Sequence, residues 1–223
     1  MKKLFALLFL SVLSGGAHSS QTWVLLGDSI MSGVADGRAS QLATHLVAAE
    51  RNVVIKSIAA PGNSLGSTDH TGYNNSLTVA ALALVGGPYS AYNGIIIQAG
   101  TNDYGRSIPY DQTIAGLRVI MNHARALNKR VLLLDPIWRA GEDNPNALGH
   151  TLNVYRWVMA VTCIQEYGDI CRYAPRGDTV MGSSAGAANY AAAEVAAGAQ
   201  LHPNAQGHRL IADWIIRSAS GIF

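Results

Sequence analysis

The sequence predicts an α/β sandwich of three layers, with helices on both faces of a five-stranded parallel sheet. Three observations predict it. Four short runs rich in Val, Ile and Leu recur, at 23–26, 53–60, 94–100 and 131–134, and a fifth short strand is expected near 170–174. Stretches with helical spacing of apolar residues alternate with them, and strands joined by helices pair in parallel. The first four runs also end abruptly, at Gly27, Pro61, Thr101 and Asp135, where the chain turns into a loop. In such sheets the carboxyl ends of the strands are where ligands bind.

The elements follow in order. Lys2 and Lys3 precede an apolar run from Leu4 to Leu13, and Gly15, Gly16, Ala17 and Ser19 supply small residues. This is the pattern of a secretory signal cleaved after Ser19, and its apolar run is too short to span a bilayer. Residues 1–19 are therefore expected to be a signal peptide and residues 20–223 a single domain with one core, secreted or periplasmic. The chain has 16 basic and 14 acidic residues, and loss of Lys2 and Lys3 leaves 14 of each. That balance gives no reason to expect a nucleic-acid partner. No further run reaches transmembrane length.

Trp23–Leu26 is a buried strand delivered through Gly27 and Asp28 to Ser29, and the alternative reading of that stretch is an ordinary strand-to-helix turn. A helix is expected over Ser40–Glu50, with Ser40 as N-cap and Leu42, Leu46 and Ala49 on one face. Strand two, Val53–Ala60, runs into Pro61-Gly62-Asn63-Ser64. Residues 76–85 have the composition of a buried helix stopped by Gly86-Gly87-Pro88. Strand three ends at Gly100-Thr101-Asn102-Asp103. Pro109 opens an amphipathic helix over Tyr110–Asn128 that turns Ile114, Leu117, Ile120, Met121, Ala124 and Leu127 to the sheet. Strand four is Val131–Leu134, residues 137–147 form a loop over the same end of the sheet, and a helix is expected over Leu148–Glu166. Strand five lies near Ile170–Ala174. Residues 176–199 are dominated by Gly, Ser and Ala, and only Ala191–Ala197 has strong helix propensity. Leu201-His202-Pro203-Asn204 leads into a last helix, Ala205–Ser218, with Leu210, Ile211, Trp214 and Ile215 inward.

Cys163 and Cys171 are the only cysteines. In a chain addressed to an oxidising compartment they are expected to pair as one local disulfide. A metal site is the alternative, but Glu166 and Asp169 are the only His or carboxylate residues between them, a poor ligand set.

Ser29, Gly62, Asn102 and His202 each fall at a strand's C-terminal end or in the loop before the final helix, so the topology gathers them. Acyl transfer to water needs a nucleophile, a base within reach and donors aimed at the developing oxyanion. Ser29, His202, and Gly62 with Asn102 offer one candidate for each role. The alternative readings are that Asn102 and Asp103 simply cap the following helix and that His202 is structural. Asp28 and Asp103 read as structural hydrogen-bonders. Tyr104, Arg106 and Trp138 lie on loops bordering the crevice, where exposed aromatics and arginines are also common without a role.

Four blocks, Gly27-Asp28-Ser29, Pro61-Gly62-Asn63, Gly100-Thr101-Asn102-Asp103 and His202-Pro203-Asn204, resemble in type and order those of the SGNH hydrolases, also called GDSL esterases and lipases. The resemblance implies a flavodoxin-like sandwich with Ser29 as nucleophile and His202 as general base. It implies an oxyanion hole from the backbone N–H groups of Ser29 and Gly62 and the Asn102 side chain. It implies no metal and no organic cofactor. Position 31 is Met, so this is not the Gly-x-Ser-x-Gly elbow of α/β-hydrolases.

The family usually carries Asp three residues before the histidine, and here that position is Ala199. Glu194 is the nearest acid upstream, with Asp178 further back and Asp213 in the following helix, and none has the expected spacing. The expectation is therefore a Ser29–His202 dyad, its imidazole oriented by a backbone carbonyl of residues 199–201. The function so implied is an exported serine esterase acting on an acetylated carbohydrate, a short-chain ester or a lipid. The alternatives are an acyltransferase using the same groups and a non-catalytic glycan-binding protein on the same fold.

Overall fold

The computed structural model describes residues 20–33, 42–67, 76–77 and 91–223. The signal-like segment, the Ser40 cap and most of the helix expected over 76–85 lie outside the described residues. Five strands, β1 (Thr22–Leu26), β2 (Val54–Ser57), β3 (Gly94–Gln98), β4 (Arg130–Leu134) and β5 (Cys171–Ala174), form one sheet in the order β2-β1-β3-β4-β5. Every pairing is parallel. This is the flavodoxin-like order, in which the chain reverses direction across the sheet between β1 and β3.

Alternation along the strands builds two cores. Trp23, Leu25, Ile96, Leu132 and Leu134 face one way, onto α2 (Leu42–Arg51) and the last helix, through Val47, Ile211, Trp214 and Ile215. Val24, Leu26, Ile95, Ile97, Val131 and Leu133 face the other way, onto a long helix, α4 (Tyr110–Ala126), and α5 (Leu152–Val161), through Leu117, Ile120, Met121 and Met159. The three layers follow directly from this period-two pattern.

Some boundaries move. In α2 the buried residues are Ala43, Thr44 and Val47, round the helix from the expected stripe, and Ala49 is exposed. Helix α5 begins at Leu152, not Leu148, because Asn146 Oδ1 accepts the N–H groups of Leu148 and His150 and so fixes a turn. Asn side chains compete with helix in this way. The helix then widens into a π turn over Thr162–Glu166. Cys163 and Cys171 are disulfide-bonded, with Cα atoms 5.6 Å apart, tying that turn to β5.

The poorly patterned stretch after β5 contains three short helical pieces, α6 (Gly177–Val180), a 3₁₀ segment (Ser183–Asn189) and α7 (Ala192–Ala196). It leads to α8 (Ala205–Ser218), whose Asn204 cap accepts the N–H groups of Gln206 and Gly207. Two further one-turn helices, α1 (Ser29–Ser32) and α3 (Thr101–Gly105), follow β1 and β3 directly.

Candidate active site

Ser29 opens α1 at the point where the strand order reverses. Asp28 is the N-cap, its Oδ1 accepting the Ile30 N–H at 2.9 Å, so the turn that presents Ser29 is fixed by its neighbour. Across the crevice, the His202 ring lies between two groups. Its Nε2 is 2.8 Å from Ser29 Oγ and its Nδ1 is 2.5 Å from Glu194 Oε1.

The glutamate corrects the dyad expected from the sequence. Nδ1 meets a carboxylate, not a backbone carbonyl of residues 199–201. Glu194 comes from α7, eight residues before the histidine. Its second oxygen accepts the N–H groups of Leu201 at 2.9 Å and His202 at 2.7 Å. Burial pushes the Glu194 carboxyl upward, but the backbone N–H of His202, its ring and the Leu201 N–H together hold it below the usual glutamate value. Asp178 and Asp213 make no ion pair with the ring, and Asp135 is committed to Tyr173 Oη and the Gly177 N–H.

Local backbone bonding explains how so distant an acid arrives. Residues 189–191 run antiparallel to 202–204, with Tyr190 bridged to Pro203 and the Ala191 N–H on the His202 carbonyl at 2.9 Å. Asn204 Nδ2 donates to the carbonyls of Ala188 and Tyr190 from the other side. Gly207 permits this approach, since a Cβ there would lie 2.3 Å from the Asn189 carbonyl oxygen. After α7 the chain reverses through Gly198, and the Ala199 N–H closes on the Glu194 carbonyl at 2.9 Å. Position 199 therefore serves the helix terminus, one turn past the carboxylate that does reach the ring.

The expected oxyanion donors gather on the opposite side. Asn63 Nδ2 donates to the Gly27 carbonyl at 2.8 Å, and Asn102 Nδ2 donates to the Asn63 carbonyl at 2.9 Å. This chain of bonds draws the Gly62 loop and α3 against the turn bearing Ser29. Gly62 has φ of 79°, and Arg106 Nη1 holds its carbonyl at 2.6 Å. Among the described residues no protein acceptor takes the N–H of Ser29 or of Gly62. An amide nitrogen carries two hydrogens, so Asn102 keeps one after binding Asn63. Asn102 is not a cap, because α3 starts after Gly100 without a side-chain cap bond.

The other residues singled out in the sequence are structural. Asp103 is fully buried and accepts from the Leu65 and Gly66 N–H groups and from Thr113 Oγ1, fastening the Gly62 loop to α3, while burial raises its pKa. Tyr104 is buried, its one hydroxyl proton shared between the carbonyls of Gly141 and Asn144. Trp138 packs edge-on against Tyr190, whose hydroxyl donates to the Trp138 carbonyl. Glu194 is the residue whose pairing the sequence reading missed. Its available signal was a lone acid in an Ala-rich helix stopped by Gly198, which returns the chain toward that helix.

Fold and site together define the class, an α/β protein of the SGNH hydrolase type. Residues 25–210 match the sequence profile of the GDSL-like lipase/acylhydrolase family, and the chain belongs to that family. Several solved structures share the fold. A psychrotrophic esterase from Pseudoalteromonas superposes with a TM-score of 0.65 at 19% identity, over 91% of this chain and 98% of that one. A salicylyl-acyltransferase from a tetracycline biosynthetic pathway gives 0.68 at 20%, over 92% of this chain but 56% of its own length. A Geobacillus acetyl-xylooligosaccharide esterase gives 0.56 at 18%, over 90% and 94%. No curated protein matches the chain. Among the described residues no helix is long and apolar enough to cross a membrane.

Proposed function

We propose that this protein is an exported serine esterase that hydrolyses an O-acyl ester through an acyl-enzyme on Ser29. The observation that carries the reading is the continuous relay of Glu194, His202 and Ser29, at 2.5 Å and 2.8 Å. Glu194 accepts Nδ1–H and so fixes the tautomer in which Nε2 has a free lone pair toward Ser29 Oγ. As Oγ attacks the ester carbonyl, its proton passes to Nε2, and Glu194 balances the imidazolium charge. The developing oxyanion is met by the N–H groups of Ser29 and Gly62 and the free amide hydrogen of Asn102. The imidazolium then gives its proton to the departing alkoxide. A water deprotonated by Nε2 attacks the acyl-enzyme, releasing the carboxylic acid and restoring Ser29.

Small-molecule and carbohydrate esters are the substrate classes supported by the esterase relatives. Export rests on the signal-like first 19 residues and on the local disulfide. Residues 20–223 then form the mature domain. Acyl transfer to an acceptor hydroxyl uses the same groups with that hydroxyl replacing water, and the acyltransferase among the structural relatives keeps this as a second reading. A binding protein would have no use for a half-buried carboxylate holding an imidazole against a serine. The test is turnover of p-nitrophenyl acetate and longer esters by wild type and Ser29→Ala, with fluorophosphonate labelling of Ser29. Hydrolysis and labelling that both vanish in Ser29→Ala are expected. Labelling of another serine, or turnover by Ser29→Ala, would overturn the assignment. Adding a sugar acceptor and analysing products separates transfer from hydrolysis.

A further inference from the structure

We propose that this site selects esters bearing a carboxylate or phosphate group, through Arg139 and Arg106 flanking the oxyanion side of the crevice. The proposal rests on the hydrolase reading above and names its substrate class. Asn102, Gly105 and Arg106 stand at i, i+3 and i+4 along α3 and its C-terminus, so they share one face. On that face Asn102 reaches the Asn63 carbonyl and Arg106 the neighbouring Gly62 carbonyl. Arg139 comes to the same face from the loop after β4. Its Nη1 lies 2.9 Å from where a Cβ at position 105 would stand, so glycine there makes room for the guanidinium.

The loop that carries Arg139 spans the crevice and is fastened on the histidine side. The Ala140 N–H donates to the Gln200 carbonyl at 2.8 Å, two residues before His202, and Tyr190 Oη donates to the Trp138 carbonyl at 2.9 Å. The Arg139 guanidinium lies 5.5 Å from the Tyr104 ring centroid, a contact that orients a cation without neutralising it. Its Nε is buried and without a hydrogen-bond partner among the described residues.

Glu142, Asp103 and Glu194 are engaged elsewhere, and Asp143 in the same loop is exposed. Glu142 accepts the Arg139 backbone N–H, but its two oxygens receive the Arg156 guanidinium at 2.9 Å and 2.6 Å. Asp103 is buried on its backbone and Thr113 partners, and Glu194 is bound to His202. A planar guanidinium fork with no carboxylate paired to it among the described residues, beside the donors that meet the carbonyl oxygen, suits a carboxylate or phosphate on the substrate.

The experiment pairs 4-acetoxybenzoate with its neutral methyl ester, and phenyl acetate with its 4-phosphate derivative. At low salt, wild type should favour each anionic ester in kcat/KM by about tenfold, one bidentate charged contact, and the preference should shrink as salt rises. Arg139→Gln should bring the anionic-to-neutral ratio toward one, and Arg139→Lys should restore part of it. Binding of the same esters to Ser29→Ala by calorimetry separates recognition from reaction. Tighter binding of the anionic esters, lost in Arg139→Gln with Ser29→Ala, supports the anion site even if no ester is turned over. Equal binding of charged and neutral esters, or an Arg139→Gln loss shared equally by both, overturns it. Preference for the carboxylate alone or the phosphate alone identifies the group.

Discussion

Glu194→Gln tests the relay most sharply, because the structure dictates which way the new amide must face. Oε2 of Glu194 accepts two backbone N–H groups, from Leu201 and His202, and only an oxygen can replace it there. The glutamine nitrogen is thereby driven to the position of Oε1, 2.5 Å from Nδ1 in the native protein. A donor at that place requires Nδ1 to accept, which moves the ring proton to Nε2 and aims it at Ser29 Oγ. The base is then blocked. Fixing the wrong tautomer of such a histidine costs about four orders of magnitude in kcat elsewhere, roughly 5.5 kcal/mol of barrier. Glu194→Ala leaves the ring free to choose either tautomer and loses only the charge and orientation, so it should be less damaging than the isosteric change. The assay is kcat and KM on p-nitrophenyl acetate for both variants, with imidazole nitrogen shifts of His202 read by NMR. Losses below about tenfold, or a glutamine variant as active as alanine, would refute the relay and return the site to the dyad read from sequence.

Asn102→Ala removes one of the proposed oxyanion donors and should lower kcat by roughly two to three orders of magnitude with little change in KM, measured on the same ester. An unchanged rate would reduce Asn102 to a brace for Asn63. Asp28, fully buried, has its pKa pushed up to about 7 from 3.8, chiefly by burial, against the opposing hydrogen bonds from the Ile30 N–H and Gln98. A carboxyl raised in the folded state binds protons more tightly there, so its contribution is whole below pH 4 and is lost as pH rises through 7. That loss is at most about 4 kcal/mol by linkage. Asp28→Asn, which keeps an acceptor for Ile30, should therefore gain stability over wild type in urea titrations at pH 8 and not at pH 4. No pH-dependent difference would show that Asp28 stays unperturbed. The disulfide closes a loop of sequence separation 8, worth about 2.5 kcal/mol in the chain-entropy model. Free-thiol titration of denatured, unreduced protein should find none, and reduction should lower the denaturation midpoint.

Most of the fold was legible because its signals are local. The three central strands are short apolar runs with their own punctuation, and the last helix begins directly after Asn204, where its apolar pattern starts. Errors arose where side chains overrode propensity. Asn146 traps the N–H groups of Leu148 and His150, so four residues of good helical pattern stay outside α5. The buried face of α2 is set by its packing on α8, which no single-helix pattern encodes.

The site divides along the same line. Ser29, Gly62 and Asn102 follow strands, so the sheet's topology alone collects them at its reversal point. Glu194 follows no strand. It reaches His202 because Gly207 admits the 189–191 segment beside α8, because Asn204 bonds back to Ala188 and Tyr190, and because Gly198 turns the chain after one helical turn. Each of these is a weak signal, and only together do they move an acid eight residues away onto Nδ1. The usual Asp three residues before the histidine meets the same demand with far less backbone, so Ala199 marks a change of supplier and not a loss of the charge. The displaced arrangement makes its own structural prediction. Gly207→Ala would push Asn189 aside without touching the relay chemically, and it should lower activity to the extent that it withdraws Glu194. Adding Glu194→Gln on top should then cost less than it does in wild type, because two changes acting through one contact are not additive. A full additional loss in the double variant would show that the 189–191 strap does not hold the acid.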